Sequence, residues 1–403
     1  MTTFALRIRA ATPLALRRGR DTEHAETLHY LPGTVLLGAF ATVHTWLRGK
    51  ETEEFATFFR RNQIRFGNAY PARFSNEELQ HDLAPVLPIP TSARSCKRAS
   101  GFHCDSAPAQ ERHGVSDHLI PWTMFALSGE QEYTILDNVS RCAMCKEPMD
   151  RISGFYRRSA EGKIGRADVK TQLMTRTGIS RTRGTVQESI LYSREAIRAG
   201  SEFWGWVEVP EHLQEAFKAF YEEVRQVGLL RIGTSRSRGL GGILLSDLEP
   251  LTQESSFPDL RERVSSFSTA LKEQARQVHV PLNGLQYFVS LTLTADAIFL
   301  DRLLRYHTNL DEVIRDEAGV TGAKLIYTNA SSHILHGWNE LIGLPRVSIP
   351  VVSMGAVFLF GFEQEPNYAV LDRLEREGIG ERRSEGFGTL RVADRFHWEV
   401  VNA

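Results

Sequence analysis

The chain reads as an α+β protein made of two ferredoxin-like (RRM-like) domains in tandem, the first interrupted by a cysteine-bearing insertion. Three observations predict this. A short string, Arg-Ser-x-Gly-[Leu/Phe]-Gly, occurs twice, as Arg236-Ser-Arg-Gly239-Leu-Gly241 and as Arg383-Ser-Glu-Gly386-Phe-Gly388. Each copy closes the same local order of elements: a strand-like run, a charged helix, the glycine-arginine loop and a short strand. Between the first elements and the first loop, Pro85, Pro88 and Pro90 punctuate the chain ahead of a polar segment that holds all four cysteines, the mark of an inserted unit.

Each element follows from its pattern. Residues 4–16 alternate as a strand and turn at Pro13. A polar loop, 17–30, leads to Leu31-Pro32-Gly33-Thr34 and a helix running through Leu47, where Pro and Gly suit a tight strand-to-helix passage. An apolar helix-like piece and a short strand at 64–66 come next. Residues 203–209 form a strand ending at Pro210, and 211–227 a helix with acidic residues early, as the helix dipole favours. Ile243 to Leu245 closes the first unit. Residues 250–283 are charged and partly helical. The second unit has strands at 287–293, 351–362 and 389–392 and a helix at 368–377. Strand-helix-strand-strand-helix-strand is the ferredoxin-like order. The expected boundaries are a first domain over 1–255 with the insertion at 89–155, a connection over 256–283 and a second domain over 284–403.

Composition bounds the function. With 42% hydrophobic and 24% charged residues in 403, the chain can bury a large core. No apolar run approaches the roughly 18–20 residues that span a bilayer. The first residues alternate and lack a signal core, so a cytoplasmic protein without a membrane partner is expected. A net charge of −1 excludes a surface that coats nucleic acid throughout. The charge is nevertheless uneven: between Arg157 and Arg198 ten Lys/Arg face four Asp/Glu, a net of +6 against −7 for the remainder. Such a stripe is a footprint for phosphates, or else a solvated basic loop.

Four groups of residues could carry chemistry. In the repeated loops, glycines let backbone N–H groups line a concavity that a phosphate can approach, and arginine offers a planar fork to its oxygens. The candidate RNA-contacting residues are therefore Arg236, Arg238, Gly239, Gly241, Arg382, Arg383, Gly386 and Gly388, with Gly33 at the helix start. The plain alternative is a tight turn whose arginines face water. Second, Arg176-Thr-Gly-Ile-Ser-Arg181-Thr-Arg183-Gly-Thr followed by an alternating run suggests a hairpin able to follow a sugar-phosphate backbone through Arg176, Arg181 and Arg183. Third, Cys142-Ala-Met-Cys145 is a C-x2-C knuckle, and Cys96 with Cys104 would complete a structural zinc site. His103 or His113 could stand in for Cys104. Fourth, His333-Ile-Leu-His336 is read as a structural pair on a turn or helix. Asp21, in the polar loop, could assist metal-dependent RNA cleavage only with partners that its neighbourhood does not supply. No Walker, Rossmann or H-E-x-x-H string is present.

Taken together, Leu31-Pro-Gly-Thr-Val-Leu-Leu-Gly-Ala-Phe, the two glycine-arginine loops and the Arg176–Thr185 stretch resemble the RAMP superfamily of CRISPR type III effector complexes. The inserted cysteines and Gly378-Ile-Gly-Glu-Arg-Arg-Ser-Glu-Gly-Phe-Gly388 look most like the large type III-D subunit, the Csx-ten family. The resemblance implies a non-catalytic subunit that grips the 5′ handle of the crRNA. It also implies a cap on a filament of RAMP backbone subunits, contact with the large polymerase/nuclease subunit, and an indirect relation to target RNA. Backbone subunits of the superfamily cleave target RNA with an early-loop aspartate. Asp21 lies in that region, but its flanks depart from the pattern. Two rivals remain at this stage: a RAMP endoribonuclease that matures crRNA or cuts target RNA, and a stand-alone zinc-ribbon interaction module.

Overall fold

A computed structural model gives the fold and describes residues 1–17, 26–72, 86–103, 112–159, 162–179, 186–251, 260–308, 319–320, 322–339 and 343–400. Asp21, Cys104, Arg181 and Arg183 lie outside them.

The first sheet is built on strand Thr2–Ala10, which turns Phe4, Leu6 and Ile8 into the core. It pairs antiparallel with Glu202–Val209 on one side and Ile243–Leu245 on the other. Glu202–Val209 buries every second residue and carries the short strands Arg65–Phe66 and Tyr70–Pro71 on its far edge. Counting these last two as one interrupted strand, the order across the sheet is fourth, first, third, second. Helices Gly33–Arg48 and Gln214–Val227 bury Leu36, Phe40 and Val43, and Phe217, Phe220 and Val224, in the same core.

The second sheet repeats the order with Leu390–Val392, Tyr287–Leu293, Val357–Phe362 and Lys324–Asn329, all antiparallel. The single expected strand over 351–362 is divided by a turn at Ser353–Ala356 into Ile349–Val352 and Val357–Phe362. Val357–Phe362 is buried along its whole length, so both faces need cover. Helix Leu260–Gln277, within the stretch expected as a connection, supplies part of it. Val264, Phe267 and Leu271 recur at helical spacing and join the second core, and Ser268 Oγ accepts from the N–H of Phe288.

The insertion has its own small sheets, Ala93–Cys96 with Val115–Asp117 and Met149–Arg151, and Leu87–Pro88 with Phe155–Arg158 and Ile164–Ala167. It interrupts the first half in sequence yet packs on the second. Leu119 and Met124 enter the second core, and Phe396 and Val400 near the C-terminus fill the core of the insertion. A buried polar chain joins the two units. His397 Nδ1 lies 3.2 Å from Asp117 Oδ2 and its Nε2 2.7 Å from Thr292 Oγ1, while Ser92 Oγ donates to Asp117 at 2.6 Å.

Candidate nucleic-acid interface and metal centre

The two glycine-arginine loops have one backbone conformation. Ser235 and Arg382 both adopt left-handed φ values, 59° and 56°. A single 3₁₀ turn follows, Arg236–Arg238 or Arg383–Glu385, and then left-handed Gly239 or Gly386. Gly241 N–H donates to Pro13 O, and Gly388 N–H to Asp296 O. A Cβ on Gly241 would lie 2.2 Å from Ile232 O, and one on Gly388 1.8 Å from Ile379 O. The glycines are thus required by close main-chain contact. The expected cradle of free amides does not form at these positions, because the amides of Thr234, Arg238, Gly239, Leu240 and Gly241 all donate to carbonyls of the chain. What the first loop presents is side chains: Arg236 is half-buried and Arg238 exposed.

The hairpin expected from the arginine-rich stretch is present. Strand Thr171–Ile179 pairs with Val186–Ile197, and Arg176 sits opposite Tyr192. The base of the hairpin docks beside the first loop, where Ala196, Ala15 and Leu240 share a small apolar cluster. Arg194 reaches across to donate to Ser235 Oγ at 2.5 Å. Hairpin and loop therefore form one surface bearing Arg194, Arg236 and Arg238. Arg194 was counted in the basic stretch, but nothing in its spacing marked it as the link.

The second half has a corresponding hairpin that the sequence reading missed. Ser332–Leu335 pairs with Ile349–Val352, and further out Trp338–Asn339 pairs with Leu344–Pro345. His333 is on a strand, which corrects the turn or helix expected for the His333/His336 pair. Alternating side chains part the two rings, and each is instead bonded to a serine of the opposite arm: His333 Nδ1 to Ser353 Oγ at 3.0 Å and His336 Nδ1 to Ser348 Oγ at 2.8 Å. Arg346 of this hairpin contacts its own loop, as Arg194 does in the first half, but here the loop residue is Glu385, at 3.1 Å.

Glu385 shows how the second loop is used. Its carboxylate accepts from Arg382 Nε and Nη2 at 2.8 and 2.6 Å and from Thr34 Oγ1 at 2.7 Å. Burial alone would push this carboxyl up, but the Arg382 guanidinium, with Thr34 and Arg346, brings it down to about 2. Thr34 opens helix Gly33–Arg48, whose positive end favours an anion. The anion there is the protein's own side chain. Gly33 is fixed by the same contact: its N–H donates to Asn68 Oδ1, and an added Cβ would meet Phe66 O at 2.2 Å and Glu385 O at 2.7 Å. Gly386 lies against Phe66 O and Asn68, Arg382 stacks on the Phe387 ring, and exposed Arg383 approaches Glu377 at 4.0 Å. The second loop is thus clamped to the start of the first half's helix.

In the insertion, Cys96, His113, Cys142 and Cys145 bring their ligand atoms within 4.8 Å of one another. Cys96 Sγ is 3.4 Å from Cys145 Sγ, and Cys142 Sγ is 3.6 Å from His113 Nδ1. A tetrahedron with arms of about 2.3 Å has edges of about 3.7 Å, so this donor set fits one metal ion. Burial pushes the Cys142 thiol up, yet the backbone N–H groups of Cys145 and Met144 aimed at it lower it to about 7, as suits a thiolate ligand. Of the two histidine alternatives, His113 joins the group, while exposed His103 does not.

The model of the RAMP superfamily matches residues 7–243. The chain belongs to the RAMP superfamily. Similar solved structures include a chain of "Type III-B Cmr-beta bound to cognate target RNA", 10% identical over 96% of each chain with a TM-score of 0.47. Another Cmr-beta chain, from the complex with target RNA and AMPPnP, is 11% identical over 93% of this RAMP chain and 89% of that one, with a TM-score of 0.44. A chain of the Csm3-Csm4 subcomplex is 14% identical over 91% and 98%, with a TM-score of 0.35. No curated protein matches this RAMP protein by sequence. Among the described residues no helix is long and apolar enough to cross a membrane.

Proposed function

We propose that this RAMP protein is a non-catalytic, RNA-binding subunit of a CRISPR type III ribonucleoprotein, gripping the 5′ handle of the crRNA and capping the backbone filament. The observation that carries the reading is the joined surface of hairpin Thr171–Ile197 and first loop, held by Arg194 and Ser235, in a chain of this superfamily. Arginines on a long two-stranded arm and an adjoining turn suit phosphate contact along a single strand. Arg176, Arg181, Arg183, Arg236 and Arg238 are the proposed contacts. Arg382, Arg383, Gly386, Gly388 and Gly33 serve the joint between the halves. The repeated fourth-first-third-second strand order supports two tandem ferredoxin-like domains. Zinc suits the three thiols and one imidazole, and Cys96, His113, Cys142 and Cys145 would hold it as a structural staple of the insertion.

The test uses the purified chain and a labelled repeat-containing RNA, with and without Mg²⁺. Binding without cleavage is expected. Replacing Arg236 and Arg238 by Ala should weaken binding and lower the slope of log K against log salt by about 1.4, since each single-strand phosphate contact contributes about 0.7. Site-specific cleavage by the wild-type chain overturns the non-catalytic role. An unchanged slope removes the first loop from the RNA interface.

A further inference from the structure

The two halves meet in a way that has an equivalent place on the second half, and that place is filled by the insertion. Tyr70 pairs with Trp204, which pairs with Arg7, six residues before Pro13, the acceptor of the first loop's Gly241. Tyr327 pairs with Leu359, which pairs with Ser290, six residues before Asp296, the acceptor of the second loop's Gly388. Tyr70 and Tyr327 are thus equivalent residues on equivalent edge strands. Each edge strand also shifts register by one residue: Phe66 opposes Val207 but Tyr70 opposes Trp204, and Leu325 opposes Phe360 but Tyr327 opposes Leu359.

Their neighbours differ. Tyr70 donates its hydroxyl to Thr294 O of the second half. On the same edge strand Arg65 donates to Glu377 O at 2.7 Å, and Phe66 O and Asn68 receive Gly386. The first half's edge is the seat of the second half. Tyr327 instead meets Trp122 of the insertion with ring centroids 5.9 Å apart, and Arg94 lies over Trp122 at 4.4 Å. Two residues on, Thr91 Oγ1 donates to Asn329 O at 2.6 Å, and Thr91 N–H donates to Gly355 O at 2.8 Å.

We propose that the insertion is an end-stop. It occupies, on the second half, the surface corresponding to the one by which the first half holds the second, and so prevents a second copy of this chain from docking there. A head-to-tail contact that does not close generates an open series. Half-on-half docking is such a contact, and the insertion terminates it after two units. Continuity with the internal interface identifies the excluded occupant, a domain of this same build. The inference deepens the capping part of the proposed role and rests on it. RNA binding does not enter, so a chain that fails to bind RNA would overturn the function and leave the end-stop standing.

The experiment is sedimentation velocity on the full chain, wild type against Trp122→Ala and against Thr91→Val, over a range of concentrations. Circular dichroism and bound metal report folding. Wild type is expected to sediment as a monomer throughout. At least one variant that retains its spectrum and metal should associate as concentration rises, its weight-average mass growing by roughly twofold or more without a plateau at the dimer. If both variants are folded and sediment as wild type does, the end-stop is refuted. An association that halts at a dimer refutes the head-to-tail form.

Discussion

Glu385→Gln tests the joint between the halves most directly, because shape is kept and only charge is removed. In the wild type the carboxylate is 15% exposed and is held by two guanidinium groups and the Thr34 hydroxyl. A carboxyl held at about 2 instead of 4.5 corresponds to about 3 kcal/mol, at about 1.4 kcal/mol per pH unit. The amide keeps a bond to Thr34 but leaves half-buried Arg382 and exposed Arg346 beside a neutral group, a loss of at most the same order. Opening of the joint should then become roughly a hundredfold more frequent. The assay is amide hydrogen exchange, read at Gly33, whose N–H is bonded to Asn68, and at Glu385 and Gly386. Protection there should fall by that factor at pH 7, while the core of strand Val357–Phe362 is unaffected. Because the native carboxyl is depressed, the wild-type stabilisation is complete above about pH 4.5 and is lost as pH falls toward 2. The glutamine variant should show no such fall. Unchanged protection at Gly33 and Gly386 in a folded variant would refute the clamp.

Three other outcomes follow from the same structure. Purified protein should carry about one zinc per chain by elemental analysis, and Cys142→Ser or chelation should release it and open the insertion to protease between Cys96 and Arg151, since structural zinc contributes to folding directly. Gly388→Ala should unfold or severely destabilise the second half, whereas Gly239→Ala, with nothing within 4 Å of the added methyl, should cost only about 1 kcal/mol for its left-handed φ. Thermal unfolding separates the two. Asp117→Asn should lower the melting temperature by an amount equivalent to about 2 kcal/mol, because the buried carboxylate that accepts from Ser92 Oγ and from the Leu119 N–H is lost. Burial opposes the Asp117 charge, but His397 and the hydrogen bonds to Ser92 and Leu119 hold its carboxyl below the ordinary range. The wild-type contribution is therefore present at neutral pH and is lost only on acidification below that range.

The elements legible in sequence were those whose pattern is local. Tyr287–Leu293 and Tyr368–Glu377 stand where alternation and charge placed them, and the repeated loops share a conformation because their glycines answer to main-chain contacts that recur in both halves. Pairings made at long range were not legible. The first arm of the His333 hairpin, Ser332–Leu335, is short and mostly exposed and lies thirteen residues before its partner Ile349–Val352, so it carries no hydrophobic period of its own. The seating of the insertion on the second half depends on Leu119 and Met124 joining the core that holds Phe267 and Leu359, which no local pattern reveals. His113 was one of two open choices until the fold brought it beside Cys142.

The repeat also shows how one loop geometry can serve two ends. Arg238 and Glu385 occupy the same position of the 3₁₀ turn, with opposite charge. A glutamate there satisfies a helix N-terminus and two arginines within the chain, so the second loop has its anion already. An arginine at that position reverses the charge that this particular contact uses. The two loops thus share a backbone and differ in charge at the position that makes the joint. Arg194 and Arg236 stand beside Arg238 on the joined surface of hairpin and loop, so the position whose charge closes the molecule in one half carries the opposite charge in the other.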